Sequence, residues 1–349
     1  MKHLVIDRRL IRNNLKAVKE RADGAEIYAD LSANAYGLGL LETAKLLRNE
    51  GVHTYAVGDP DDAERLRDAG FTDERIMMLR STADPKELEK LLDLGVIACV
   101  GSYDAAVAVN GIAEARKTVA EVQIKVDTGL GRYGFLPEET DKMASIFKYM
   151  QNLAIVGMFT TFADASNRKR TRQQYELFNK VLDKLTDLGL ETGLVHAVDS
   201  EALFRYDYGR MDAVRAGEAL AGRLGGKNAP GLAPVGQIEA SIEEIAWYKK
   251  GHRIGGRRSV TLRRPTKVAV LSVGTYNGLG AGSPERAPLL PWNRKPLVIR
   301  LNGQKVPTIG EIGLMHTLLD VTNVDCAVGD LATIDVDPLF VKGLPVKYI

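Results

Sequence analysis

The sequence predicts an α/β protein: a (β/α)8 TIM barrel over residues 1–225, followed by a C-terminal β-domain over residues 226–349. Two observations predict it. From Ile11 to about Gly225, short apolar or β-branched runs alternate with longer amphipathic stretches, the pattern of βαβ units around a parallel sheet. After Gly222 the helical periodicity gives way to strand-like alternation, across a stretch rich in Gly, Pro and Asn at 224–234 that suits a linker.

Taken in order, barrel strands are expected at residues 26–31, 54–57, 75–79, 96–100, 122–126, 154–159, 194–197 and 212–215. Helical segments at 41–49, 63–69, 85–92, 138–149 and 174–188 lie between them. About eight strand–helix units is the number that closes a TIM barrel. In the second domain, 237–247, 268–273, 297–309 and 331–336 alternate as strands, and Asn302-Gly303 between apolar runs signals a two-residue hairpin turn. The segment 275–295, with its glycines, prolines and Trp292, is expected to be a long surface loop.

Composition narrows the function classes. Lys+Arg 47 against Asp+Glu 45 leaves a net charge of +2, too balanced for a generic polyanion binder, and no specific nucleic-acid signal stands out. Cys99 and Cys326 are far apart among apolar neighbours, so neither a disulfide framework nor a metal site is indicated. The start MKHLVIDRRL is charged within a few residues, and no apolar run approaches a membrane span. A cytoplasmic protein is expected.

A TIM barrel carries its chemistry where the strands end. The first strand ends in DLSANAYGLG at 30–39, the fifth in KVDTGLGR at 125–132, the seventh in HAVDS at 196–200 and the eighth in VRAG at 214–217. ANAYGLG resembles the KANAYGHG segment of the alanine racemases, and KVDTGLGRYGF their KxDTGMGRLGF segment. HAVDSEA and MDAVRAGEALAG resemble their HxxNS and FDMVRxGIxLYG segments, and the similarity runs nearly end to end. The resemblance implies a fold type III pyridoxal-phosphate scaffold and an obligate homodimer, in which one subunit's β-domain completes the other's site.

Carried over residue by residue, the resemblance makes Tyr36, Ser200 and the Gly217 backbone phosphate contacts, and Arg215 the arginine facing the pyridine nitrogen. Arg132 matches the arginine near the cofactor hydroxyl, and Lys125 the lysine that holds it when carbamylated. The catalytic half is different. Ser32 stands at the position of the Schiff-base lysine, Gly256 at that of the tyrosine base and Thr161 at that of its supporting histidine. A hydroxyl cannot form an imine with pyridoxal, so no covalent cofactor is expected. Gly313-Leu314-Met315 replaces Ser-Met-Asp near the substrate carboxylate, Thr275 replaces a tyrosine, and Glu218 replaces an apolar residue beside the phosphate contact.

Each residue also has a structural reading. Lys125 and Asp127 suit a barrel-end ion pair as well as a site; Ser200 suits a helix N-cap as well as a ligand contact. Arg215 calls for an anion or an ion pair, and His196 for a satisfied place in the core. Asp59, Asp61 and Asp62 suit a solvated helix start. The basic run Arg168-Lys169-Arg170-Thr171-Arg172 and the pair Arg257-Arg258 are either solvated faces or part of an anion-binding mouth.

The sequence therefore points to a racemase-like protein without racemase activity. It is expected to be a homodimer that binds a small phosphate-bearing or otherwise anionic ligand, non-covalent pyridoxal phosphate included, or a protein partner, in a binding or regulatory role. The alternative is an enzyme of altered chemistry on the same scaffold; a true racemase stands last.

Overall fold

The computed structural model describes residues 1–207, 211–256, 259–281 and 297–349. They form two compact units, Asn14–Leu220 and Met1–Asn13 together with Ala221–Ile349.

In chain order the elements up to the end of the barrel are β1 (Lys2–Ile6), α1 (Arg8–Ala22), β2 (Glu26–Asp30), α2 (Ser32–Tyr36), α3 (Leu40–Asn49), β3 (Thr54–Val57), α4 (Pro60–Asp68), β4 (Arg75–Ser81), α5 (Pro85–Asp93), β5 (Ile97–Val100), α6 (Tyr103–Ala115), β6 (Ala120–Lys125), α7 (Thr140–Tyr149), β7 (Leu153–Phe159), α8 (Arg168–Asp187), β8 (Leu194–His196), α9 (Ser200–Arg205) and β9 (Ala213–Ala216). Strands β2 to β9 pair in parallel and close, with Ala29 opposite Ala216, into the eight-stranded barrel read from the sequence. Its interior packs Tyr28, Ala56, Met77, Ile97, Cys99 and Phe159. Such apolar strands, buried on both faces, are what a parallel sheet covered by helices requires.

Local chemistry places the helices. Asp59, Asp84, Ser102 and Asn167 each accept a backbone N–H at the start of α4, α5, α6 and α8, satisfying donors that a helix leaves open. Asp59, Asp61 and Asp62 thus belong to the helix start, and Asp61 takes an ion pair from Lys90.

The second unit continues with β10 (Arg223–Leu224), β11 (Lys227–Asn228), β12 (Gln237–Tyr248), β13 (Arg253–Ile254), β14 (Val260–Thr261), β15 (Thr266–Leu271), β16 (Ile299–Leu301), β17 (Gln304–Val306), β18 (Thr317–Asp320), β19 (Leu331–Asp335) and β20 (Val346–Tyr348). The long β12 pairs with β19 through its first half and with β15 through its second, with a bulge between Ile242 and Glu244 where it changes partner. Asn302 and Gly303, with φ of 48° and 77°, make the predicted hairpin turn between β16 and β17.

Two differences from the sequence reading stand out. Residues 1–13 group with the β-rich unit and not with the barrel, because β1 is hydrogen-bonded between β12 and β20. The stretch 224–234 contains the small β10–β11 hairpin, turned by Gly225 and Gly226 at positive φ. Of the expected loop at 275–295, residues 282–296, Trp292 among them, lie outside the described residues, as do Arg257 and Arg258. Among the described residues no helix is long and apolar enough to cross a membrane.

Candidate functional site

The ends of the barrel strands line a cavity of about 530 Å3 within the first unit. Ser32, Tyr36, Lys125, Arg132, Thr161, Ser200, Arg215 and Gly217 all reach it, so residues spread over some 185 positions of sequence converge on one mouth. Gly256 belongs to the second unit, where a Cβ on it would meet nothing within 4 Å.

Immediately after β2 the chain makes a left-handed turn. Ala33, Asn34, Ala35 and Tyr36 all have φ between 52° and 58°. Such a conformation costs L-residues about 1–2 kcal/mol each, so it needs anchors. Asp30 supplies two: one carboxylate oxygen accepts the Ser32 N–H at 3.0 Å, the other the Tyr36 hydroxyl at 3.0 Å. Asn34, a residue tolerant of this region, accepts from the Leu40 N–H. The Asp30 carboxylate, then burial, hold the Tyr36 hydroxyl well above the usual tyrosine range, so it stays a donor. The Ser32 side chain faces Gly58, where a Cβ would stand 3.2 Å from its Oγ.

Beside this turn the neighbouring strand ends satisfy themselves. Ser200, in the first turn of α9, is capped by Asp199, whose carboxylate accepts the Ala202 N–H. The Ser200 Oγ accepts the N–H groups of Gly217 at 3.0 Å and Ala219 at 3.1 Å. A Cβ on Gly217 would lie 2.3 Å from the Tyr36 ring, which explains the glycine. The cap at this helix is thus Asp199, and the serine ties α9 to the end of β9.

Arg215 is 5% exposed and its guanidinium runs back into the barrel. It donates to the Thr160 and Ala197 carbonyls and to His196 Nδ1. His196 is wholly buried, stacked between Tyr28 and Phe159 with ring centroids 5.0 Å away on each side. Because Nδ1 accepts from a guanidinium, the proton sits on Nε2, which donates to Gln123 Oε1; Gln123 in turn donates to Tyr28. Burial, then the Arg215 charge, push the His196 pKa well below its usual range. His196 is a satisfied core histidine, and Arg215 is held by carbonyls and a ring nitrogen. Thr161 touches it only distantly, at 3.4 Å.

On the opposite arc, Asp127 organises the DTGLG loop by accepting the Gly129, Leu130 and Gly131 N–H groups. Its burial raises its pKa, but those N–H groups outweigh this and hold the carboxylate below the usual range. Gly134, at φ 97°, lies so close to the strand end that a Cβ on it would stand 2.8 Å from the Asp127 nitrogen, a contact no side chain permits. Lys125 is therefore not paired with Asp127. It is 4% exposed, with its Nζ 5.5 Å from the centre of the Tyr133 ring and 5.6 Å from that of Phe159. Burial foremost, with the Arg215 and Arg132 charges adding, lowers its pKa.

The resulting charge distribution is polarised. Asp199, Glu218 and Asp30 stand at or just beyond the ends of the adjacent strands β8, β9 and β2; Arg80 and Lys125 stand at the ends of β4 and β6, and Arg132 in the loop after β6, across the mouth. Arg80 is bound bidentately by Glu87, whereas Arg132 is exposed at the rim. Sequence reading overlooked Asp30, Asp199, Arg80 and Tyr133. Asp30 alone carried a usable signal, as a carboxylate ending a strand two residues before Ser32. Of the basic run in α8, Arg170 donates to the Gly129 carbonyl and Arg172 pairs with Glu176, so both are structurally engaged, and none of the run lines the cavity.

Comparison with known proteins agrees with the barrel, the β-rich unit and their order. The family model for the alanine racemase N-terminal domain matches residues 6–224, and that for the C-terminal domain matches residues 235–338. Alanine racemase of Methanococcus maripaludis is 28% identical over 342 residues, covering 94% of this chain and 87% of its own length. That of Carboxydothermus hydrogenoformans is 32% identical over 274 residues, 77% of this chain and 74% of the relative. Among solved structures, alanine racemase from Bartonella henselae with covalently bound pyridoxal phosphate superposes with a TM-score of 0.84 at 24% identity, covering 100% of this chain and 99% of the other. With both domain models matched in order along almost its whole length, the chain belongs to the alanine racemase family.

Proposed function

We propose that this chain is a family member that does not racemise alanine through a lysine and a tyrosine, and that its barrel mouth is a cleft for a small anionic ligand. The observation that carries this reading is the pair Lys125 and Arg132 on a cavity whose Schiff-base position holds Ser32. A carboxylate is favoured over a phosphate. The resemblance puts phosphate contacts at Tyr36, Ser200 and Gly217, but the Tyr36 hydroxyl is given to Asp30 and Ser200 already accepts two N–H groups. Asp30, Glu218 and Asp199 on that arc would repel a dianion. The residues present do not fit pyridoxal phosphate in the covalent arrangement, and no step is derived through it.

The protein acts in this reading as a binding or regulatory element and, by the resemblance, as a homodimer, which light scattering of the purified chain tests. Retained racemase activity is the second reading, favoured by the near full-length match to proteins named alanine racemase. The deciding experiment combines an absorbance spectrum, a coupled D-alanine assay, and calorimetric titration with pyruvate, inorganic phosphate and pyridoxal phosphate. No visible aldimine band, no D-alanine turnover and carboxylate binding weakened by Arg132→Ala are expected. Turnover by the wild type would overturn the proposal.

A further inference from the structure

We propose that Tyr133 is a specificity-determining side chain of the mouth: its ring closes the mouth against a second pocket, and so restricts the ligand to acids with a single carboxylate. The inference rests on reading the mouth as an anion cleft and narrows its ligand class.

Two side chains divide two cavities. Beside the mouth lies a pocket of about 370 Å3, lined by Ser81, Gly101, Ser102 and Gly131 among others. Of its lining residues only Arg132 and Tyr133 also line the mouth. The backbone that carries them is pinned. At the base of the loop the Asp127 N–H donates to the Phe135 carbonyl at 2.8 Å, and the Phe135 N–H to that of Lys125 at 2.9 Å. A Cβ on Gly101 would stand 2.5 Å from the Gly134 nitrogen, so the chain has no room to swing towards the end of β5. The partition is therefore made by side chains and not by movement of the loop.

Packing does not account for a tyrosine at this place. Tyr133 has φ of 52°, a region in which a bulky residue is strained and glycine sits freely. It is 46% exposed, and its hydroxyl has no hydrogen-bond partner among the described residues. What holds the ring is Lys125, whose Nζ lies 5.5 Å from its centre. A strained aromatic residue that serves neither the core nor a hydrogen bond points to a role in what it borders.

Charge decides what this wall excludes. A ligand carboxylate at Arg132 leaves the rest of the molecule two directions, across the mouth or into the second pocket. Across the mouth stand Asp30, Asp199 and Glu218, which repel a second carboxylate but not an uncharged chain. In the second pocket the acidic lining residue is Asp127, which already accepts three backbone N–H groups. Ser81 and Ser102 there each accept a backbone N–H and keep a hydroxyl hydrogen to donate. The second pocket is thus the direction a second carboxylate would take, and the Tyr133 ring bars it.

The test is calorimetric titration of the full-length protein with pyruvate, valerate and glutarate, the last two equal in chain length and different in charge. The wild type is expected to bind pyruvate and valerate, and glutarate at least about tenfold more weakly, the scale of a like-charge contact partly screened by water. Tyr133→Gly, which suits the backbone and removes the wall, should erase that difference, as should Tyr133→Asn, also tolerated at this φ. Tyr133→Phe keeps the ring and should keep the difference. Equal binding of glutarate and valerate by the wild type, or an undiminished preference in the two small variants, overturns the inference, while pyruvate binding leaves the cleft reading standing. Binding of none of the three acids by the wild type overturns both.

Discussion

Replacing Ser200 by alanine removes one oxygen and leaves two buried donors, the N–H groups of Gly217 and Ala219, without their acceptor. An unsatisfied buried donor costs about 1–3 kcal/mol, so two would cost roughly 2–6 kcal/mol in a sealed core. The cavity is adjacent, and a water entering from it would satisfy one donor, which brings the expected loss to about 2–3 kcal/mol. In a barrel of this size that corresponds to a melting temperature lower by roughly 5–10 °C. Urea unfolding followed by circular dichroism, with and without millimolar phosphate, measures it. Phosphate is expected not to rescue the variant, because Asp30 and Glu218 remain on that arc. A loss below about 0.5 kcal/mol, the level of an unremarkable surface substitution, would refute the reasoning. So would full recovery in phosphate, which would mean that the two N–H groups and the space before them form an anion site.

Three further outcomes follow from the same geometry. Gly134→Ala should destabilise by about 1–3 kcal/mol, since its φ is 97° and its Cβ would press on the Asp127 nitrogen; Gly111→Ala, in α6 with open space around it, should instead stabilise by about 0.5–1 kcal/mol, and thermal melts of the pair compare them. Folded His196 stays neutral while unfolded histidine takes a proton below pH ~6.5, so the stability it contributes is fully present above that value and falls by up to ~1.4 kcal/mol per pH unit below it. Urea midpoints at pH ~7.5 and ~5.5 should differ less in His196→Gln than in the wild type, and equal differences would count against the assignment. Ser32→Lys alone should give no alanine racemase activity in a coupled D-alanine assay, because Gly256 still offers no hydroxyl for the opposite face and losing one acid–base group costs about 10²–10⁴-fold.

The order of the barrel strands, the helix start at Asp59, the helix from Pro85 and the turn at Asn302-Gly303 were legible in the sequence. Each is set by periodicity or by a side chain bonding to backbone a few residues away, which is short-range physics. The four strand-end motifs were legible for the same reason: the DTGLG loop closes on its own Asp127, and Ser32, Lys125, Ser200 and Arg215 then reach one mouth because a closed barrel brings all its strand ends together. What only the tertiary structure decided involves partners far apart in the chain. Residues 2–6 look like any short apolar run until β12 and β20 pair on either side of them. Ser200 could be read as a cap or as a ligand contact until Gly217 and Ala219 were seen to donate to it. Asp30 gains its importance only from a left-handed turn whose cost no propensity scale anticipates, and the separation of carboxylates from cations around the mouth depends on which strands are neighbours. Above all, that Lys125 is buried over two aromatic rings without a carboxylate is a property of everything packed around it, because desolvation is a property of the volume a side chain occupies and not of the residues beside it in sequence.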